Sequence, residues 1–192
     1  MFRRTLITTL CAVGLAAATA AKAAPETYVI DDKHTLPRFE YSHFGYSTQM
    51  SRFDKVKGTI TLDRTARRGS VEVEIDARSI NTGVPLFNEH IQAADFFDTA
   101  HYPTITFKSQ EFRFEGDRLA EVVGDLTIKG ITRRVRLEVI SMHCMPHPIY
   151  KKDACGVNAR TVLKRSDFNM GKYAPGVSDE VTVYLPVEAI KQ

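Results

Sequence analysis

Apolar and charged residues alternate along most of this chain. Val71, Val73, Ile75 and Ala77 interleave with Glu72, Glu74, Asp76 and Arg78, the period-two pattern of a strand with one buried face. Val56, Gly58, Ile60 and Leu62 alternate with Lys57, Thr59 and Thr61, and Ala120, Val122, Gly124, Leu126 and Ile128 oppose Glu121, Asp125, Thr127 and Lys129. After a turn at Gly130, Val135, Leu137 and Val139 repeat the arrangement, as do Val181, Val183, Leu185 and Val187 near the C-terminus. Arg68-Gly69 and Glu115-Gly116-Asp117 read as turns between runs. Eight or nine such runs without an internal repeat predict an all-β, antiparallel barrel or sandwich. Closure is the preferred form, because it removes exposed edges and leaves an interior that holds one small ligand at about eight strands. A fully packed sandwich satisfies the same alternation. Gly45, Gly58 and Gly124 are the expected bends of a curved sheet.

One segment breaks the pattern. Leu86, Phe87, His90, Ile91 and Ala94 recur at three- and four-residue spacing, which predicts a short helix over Leu86–Ala94 with one apolar face. It runs into Asp95-Phe96-Phe97-Asp98. Pro103 then biases Tyr102 towards extended backbone, and Thr104 to Lys108 resumes period two. A single apolar-faced helix in a β chain is expected to dock at one end of the barrel as a lid.

Composition changes the picture at the N-terminus. Arg3 and Arg4 precede the apolar run Leu6–Ala20, too short to span a bilayer comfortably, and Ala21-Lys22-Ala23 supplies the small residues of a cleavage site. Residues 1–23 therefore read as a signal peptide cleaved near Ala23 and residues 24–192 as one domain, soluble and exported to the periplasm. Cys11 leaves with the signal. So do three of the 26 basic residues and none of the 23 acidic ones, leaving 23 against 23. A balanced chain lacks the basic surface that nucleic acid requires. The retained pair, Cys144 and Cys155, points to a disulfide in an oxidising compartment. The alternative, a metal held by His143, Cys144, His147 and Cys155, has no recurrent zinc spacing behind it.

Catalytic chemistry is sparse: no nucleophile elbow, phosphate loop or dinucleotide fingerprint occurs. Asp95 and Asp98 are read as anchors for the end of the helix while Phe96 and Phe97 bury, with an acid pair as the competing reading. On a strand through Arg38–Gly45, His43 shares a face with Phe39 and Tyr41, where it would either orient the polar end of a ligand or be hydrogen-bonded in the core. His34 carries the same ambiguity. Lys164, Arg165 and Lys172 would meet an anionic head group at a barrel mouth or form a solvated rim.

Several segments together resemble the YceI family of bacterial exported, lipocalin-like proteins. They are Asp32-Lys33-His34-Thr35 with Phe39 and His43, Ser79-Ile80-Asn81-Thr82-Gly83, the block from Asp95 to Ser109, Gly124 to Arg133, Arg165-Ser166-Asp167-Phe168, and Ser178 to Val181. Two departures concern local turns: Asn169 stands where members often have glycine, and Met50-Ser51 precede Arg52-Phe53. The resemblance implies an extended, eight-stranded lipocalin-like barrel with an apolar tunnel, closed at one end by the short helix. It also implies a carrier of isoprenoids, isoprenoid quinones, or fatty amides or acids, without an enzymatic cofactor. The expected lining is Phe39, Tyr41, His43, Phe53, Ile60, Ile75, Phe87, Ile91, Phe97, Ile105, Phe107, Leu126 and Ile128. A homodimer over the tunnel mouth is compatible with this reading. The competing classes are a packed β-domain for protein interaction or stress protection, and a lipid-modifying enzyme using His43 or Asp95 and Asp98.

Overall fold

The computed structural model describes residues 24–192. The signal-peptide expectation, with its cleavage near Ala23, lies outside them. Eight strands close a barrel: β1 (Glu26–Ile30), β4 (Val56–Asp63), β5 (Arg68–Asp76), β7 (Thr104–Glu115), β8 (Arg118–Ile128), β9 (Ile131–Pro146), β10 (Asp153–Lys164) and β11 (Glu180–Lys191). All neighbours are antiparallel, and β11 returns to β1 to complete the ring. The remaining strands, β2 (Arg38–His43), β3 (Ser47–Phe53) and β6 (Ile80–Asn81), form a side ribbon.

The ribbon exists because β11 is longer than its partner β1. Ala189–Lys191 pair with β1, whereas Thr182–Tyr184 pair with β2. Between these stretches the edge of β11 is served by the Asp31 N–H, which donates to the Glu188 carbonyl at 2.9 Å, and by a side chain. The fully buried Thr35 hydroxyl donates to the Glu188 carbonyl (3.1 Å) and accepts from the Glu188 N–H (3.0 Å), replacing one rung of ladder. Gly45 turns the β2–β3 hairpin in the left-handed region (φ 73°), so it ends a hairpin where a bend was expected.

Three register shifts lie within the middle strands. An extra residue falls in β7 between Lys108 and Glu111, another at Ala120 in β8, and a third at Ile140 in β9. Each bulge switches which parity faces inward. Along β7 the inward set passes from Ile105 and Phe107 to Phe112, and along β9 from Val135, Leu137 and Val139 to Met142. The expectation for Ala120 is corrected here: the bulge places Leu119 on the inner wall in its stead.

The helix α1 spans Pro85–Gln92 and begins where Pro85 takes the first helical position. Asn88 Oδ1 accepts from the Thr82 N–H and hydroxyl, both at 2.8 Å, and ties the helix to the chain entering it. The predicted docking face is not realised as a whole. Leu86 and Phe87 are 68% and 57% exposed, and of the helix only Ile91 reaches the barrel interior. Phe96 and Phe97 in the following loop take the place that the helix was expected to fill.

Candidate ligand tunnel

The barrel interior is three apolar clusters in series. Nearest α1, Phe39, Phe53, Ile80, Phe97, Ile105, Ile128, Phe168 and Met170 pack together. The middle holds Val71, Phe107, Leu119, Val122, Val135, Val139 and Ala159. The far end holds Tyr28, Leu62, Cys155 and Ala189, flanked by Phe112, Phe114, Met142 and Cys144. A cavity of about 240 Å³ runs through all three, with a wall that is apolar throughout. On β10 it is lined from Cys155 to Leu163, about 27 Å of strand, or about 20 Å along a barrel axis tilted by the usual angle.

Ten of the thirteen expected residues stand on this wall: Phe39, Phe53, Ile60, Ile75, Ile91, Phe97, Ile105, Phe107, Leu126 and Ile128. Three do not. Tyr41 is half-buried beside the helix-end cluster, its ring 6.2 Å from that of Phe39, and burial raises its hydroxyl pKa. His43 is exposed and sets its ring edgewise on Phe44 at 4.8 Å. The physical reason is topological: β2 pairs with β11 only over Arg38–Glu40, so Tyr41 and His43 lie beyond the barrel rim. Phe87 faces outward on the first turn of α1.

The wall contains residues that the sequence reading passed over. Val181, Val183, Leu185 and Val187, with Val135, Leu137 and Val139, belong to alternations already visible in the sequence. Applying the inward parity uniformly would have found them. Phe112, Leu119 and Met142 carry no such signal, because each follows or precedes a bulge.

At the α1 end, two loops are tied to each other. Lys172 pairs with Asp95, which lowers the carboxyl pKa and raises that of the amine. Lys129 Nζ donates to the carbonyls of Ala94 (2.6 Å) and Asn169 (3.1 Å). Asp98 bonds His101 at 2.8 Å, so both acids of the aromatic-acidic segment are engaged in fastening loops. Arg165 is buried, and its guanidinium donates to the carbonyls of Met170, Lys172, Val177 and Ser178. Burial lowers its pKa, against the opposing pull of Asp179. Lys164 and Arg165 border the tunnel, but the surface they offer it is aliphatic. Asn169 adopts the left-handed region (φ 55°), which asparagine tolerates nearly as glycine does. The turn is thus kept despite the departure from the family pattern.

At the opposite end Cys144 and Cys155 are directly paired across β9 and β10 and joined by a disulfide, with Cα atoms 4.1 Å apart. His147 Nδ1 accepts from the N–H groups of Ile149 and Tyr150 and shapes the hairpin tip. With both thiols bonded to each other, they are not offered to a metal. Among the described residues no helix is long and apolar enough to cross a membrane.

The YceI-like domain matches residues 28–189 of the chain. Protein YceI of Escherichia coli O157:H7 is 34% identical over 176 residues, covering 90% of this chain and 91% of that protein. A UPF0312 protein of Vibrio cholerae is 36% identical over 191 residues, covering 96% and 98%. Among solved structures, Burkholderia cenocepacia BcnA superposes with a TM-score of 0.72 at 24% identity, covering 83% of this chain and 98% of that one. A polyisoprenoid binding domain from Saccharophagus degradans, implicated in plant cell wall breakdown, gives 0.63 at 18% identity, covering 86% and 98%.

Proposed function

The chain belongs to the YceI-like family, and on that footing we propose that it is a periplasmic, non-enzymatic protein that carries or sequesters an isoprenoid or other long-chain amphiphile. The observation that carries the reading is the apolar cavity of about 240 Å³ along the barrel. A packed β-domain would have no use for such a space, and an isolated polar substrate would find no hydrogen-bond partner in it. Each methylene moved from water to such a wall contributes about 0.8 kcal/mol. Some twenty of them give about 16 kcal/mol, comparable with the upper estimates of about 15 kcal/mol for the cost of association. A long chain therefore suffices without a dedicated polar clamp. Isoprenoid, isoprenoid quinone, and fatty amide or acid all meet that requirement, the first being closest to what the Saccharophagus degradans domain is described as binding. Export after cleavage near Ala23 places the protein in the periplasm, and its disulfide suits that compartment.

The test is native mass spectrometry of the protein purified from its own periplasm, followed by an offer of isoprenoid quinone and polyprenyl lipid. A stoichiometric long-chain adduct is expected. Protein that emerges lipid-free and takes up neither compound would overturn the proposal.

A further inference from the structure

The Cys144–Cys155 disulfide stands between two separate spaces. Cys155 is buried and forms part of the tunnel wall. Cys144 is half-buried and lines a second cavity of about 330 Å³, which opens at this end beside Glu26, Asp63, Arg64 and Asp153. The two sulfurs also differ electrostatically. Arg64 Nη2 donates to Cys155 Sγ at 3.3 Å, whereas no side chain among the described residues donates to the sulfur of Cys144. Glu26 also faces Arg64, but its carboxylate is shared with Lys191 Nζ (2.6 Å) and the Tyr28 hydroxyl (2.7 Å).

We propose that this disulfide is a directional thiol-exchange site, attacked at Cys144 by small soluble thiols that enter the outer cavity. Displacement at a disulfide requires approach to one sulfur from the side opposite the other. Cys144 lines the outer cavity, whereas Cys155 lines the apolar interior. A thiolate RS⁻ forms an RS–Sγ bond to Cys144 while the Cys144–Cys155 bond breaks. The electron pair passes to Cys155 Sγ, which leaves as a thiolate beside the Arg64 guanidinium. A second RS⁻ then attacks the RS sulfur of the adduct, releasing RSSR and the Cys144 thiolate. Two small thiols are oxidised and one protein disulfide is reduced. A leaving thiol of lower pKa departs faster, and an adjacent cationic side chain lowers a thiol's pKa. The asymmetry thus comes from both access and charge.

The oxidised, processed protein is exposed to limiting 2-mercaptoethanol, and samples are stopped at intervals with N-ethylmaleimide for peptide mass spectrometry. Early adducts are expected to carry mercaptoethanol on Cys144 and maleimide on Cys155. In Arg64→Gln, adduct formation slows about three- to tenfold, and Arg64→Lys recovers most of the rate. Arg67→Gln, whose side chain pairs instead with Asp117, leaves the rate unchanged. Mercaptoethanol appearing first on Cys155, or equally on both sulfurs, overturns the proposal. So does an unaltered rate in folded Arg64→Gln. If that variant does not fold, the adduct position in the unsubstituted protein decides.

Discussion

Gly124 shows how closely single atoms set this barrel. A Cβ added there would lie 2.4 Å from the Lys108 carbonyl oxygen and 2.7 Å from the Phe107 ring. The carbonyl belongs to the neighbouring strand and cannot swing aside as a flexible side chain would. Gly124→Ala is therefore expected to cost about 1–3 kcal/mol, seen as a lower midpoint in thermal unfolding. Thr35→Val leaves the Glu188 N–H without its partner and takes one of two donors from the Glu188 carbonyl, which keeps the Asp31 N–H at 2.9 Å, a loss of about 1–3 kcal/mol in the same measurement. His34 offers a pH test. Its hydrogen bond and charge contact with Asp31 raise its pKa above the ordinary 6.5. A raised pKa means that the pair's stabilisation is complete below about 6.5 and fades as pH rises through the higher, folded-state value. An NMR titration of the His34 ring should show the elevated midpoint, and Asp31→Asn should return it to the ordinary range.

Strands were far more legible than the helix. The alternations at Val56–Leu62 and Val71–Ile75 survive intact, because one wet face and one dry face impose period two on any sequence that folds this way. The bulges at Gln110, Ala120 and Ile140 were not legible, since an extra residue leaves no trace in composition and only a partner strand reveals it. For α1, the periodicity identified a helix but could not say how many of its apolar residues find a surface. Leu86 and Phe87 found none. The loops beyond it are held by exposed polar ties, which contribute little to global stability and more to local order. Lys172→Ala should leave the unfolding midpoint nearly unchanged while hydrogen exchange across residues 169–179 accelerates. The Asp95 carboxyl, depressed by Lys172, gives the same tie an acid limit: it is present above about pH 3.8 and lost as pH falls through the lower, folded-state pKa.

At the scale of the whole barrel, the strands enclose an apolar interior and a disulfide ties two of them at the end away from α1. The disulfide closes a short loop and should contribute about 3 kcal/mol in the chain-entropy account. The double variant Cys144→Ser, Cys155→Ser is expected to melt roughly 6–12 °C lower, since about 1 kcal/mol moves the midpoint of a domain this size by 2–4 °C. Ala159 belongs to the middle cluster of the tunnel wall. Filling that position with Ala159→Phe should reduce uptake of isoprenoid quinone at least about tenfold, the loss expected when about 1.4 kcal/mol of chain burial is removed. Circular dichroism would check that the barrel survives the change. Undiminished uptake in a folded variant would show that the chain lies elsewhere.

Strand content, the period of each wall, the two-cysteine pairing and the family were readable from residues alone, because each depends on local alternation or on matching short segments. Which side of the rim a side chain falls on was decided by pairing between distant segments. His43 and Tyr41 share the parity of Phe39, yet β11 parts from β2 before reaching them. The helix-and-aromatic segment from Leu86 to Asp98 follows the same rule: its periodicity announced a lid, but Ile91, Phe96 and Phe97 enter the barrel while Leu86 and Phe87 remain in solvent. Inward and outward are properties of a closed surface, and that surface exists only once β1 and β11 have met.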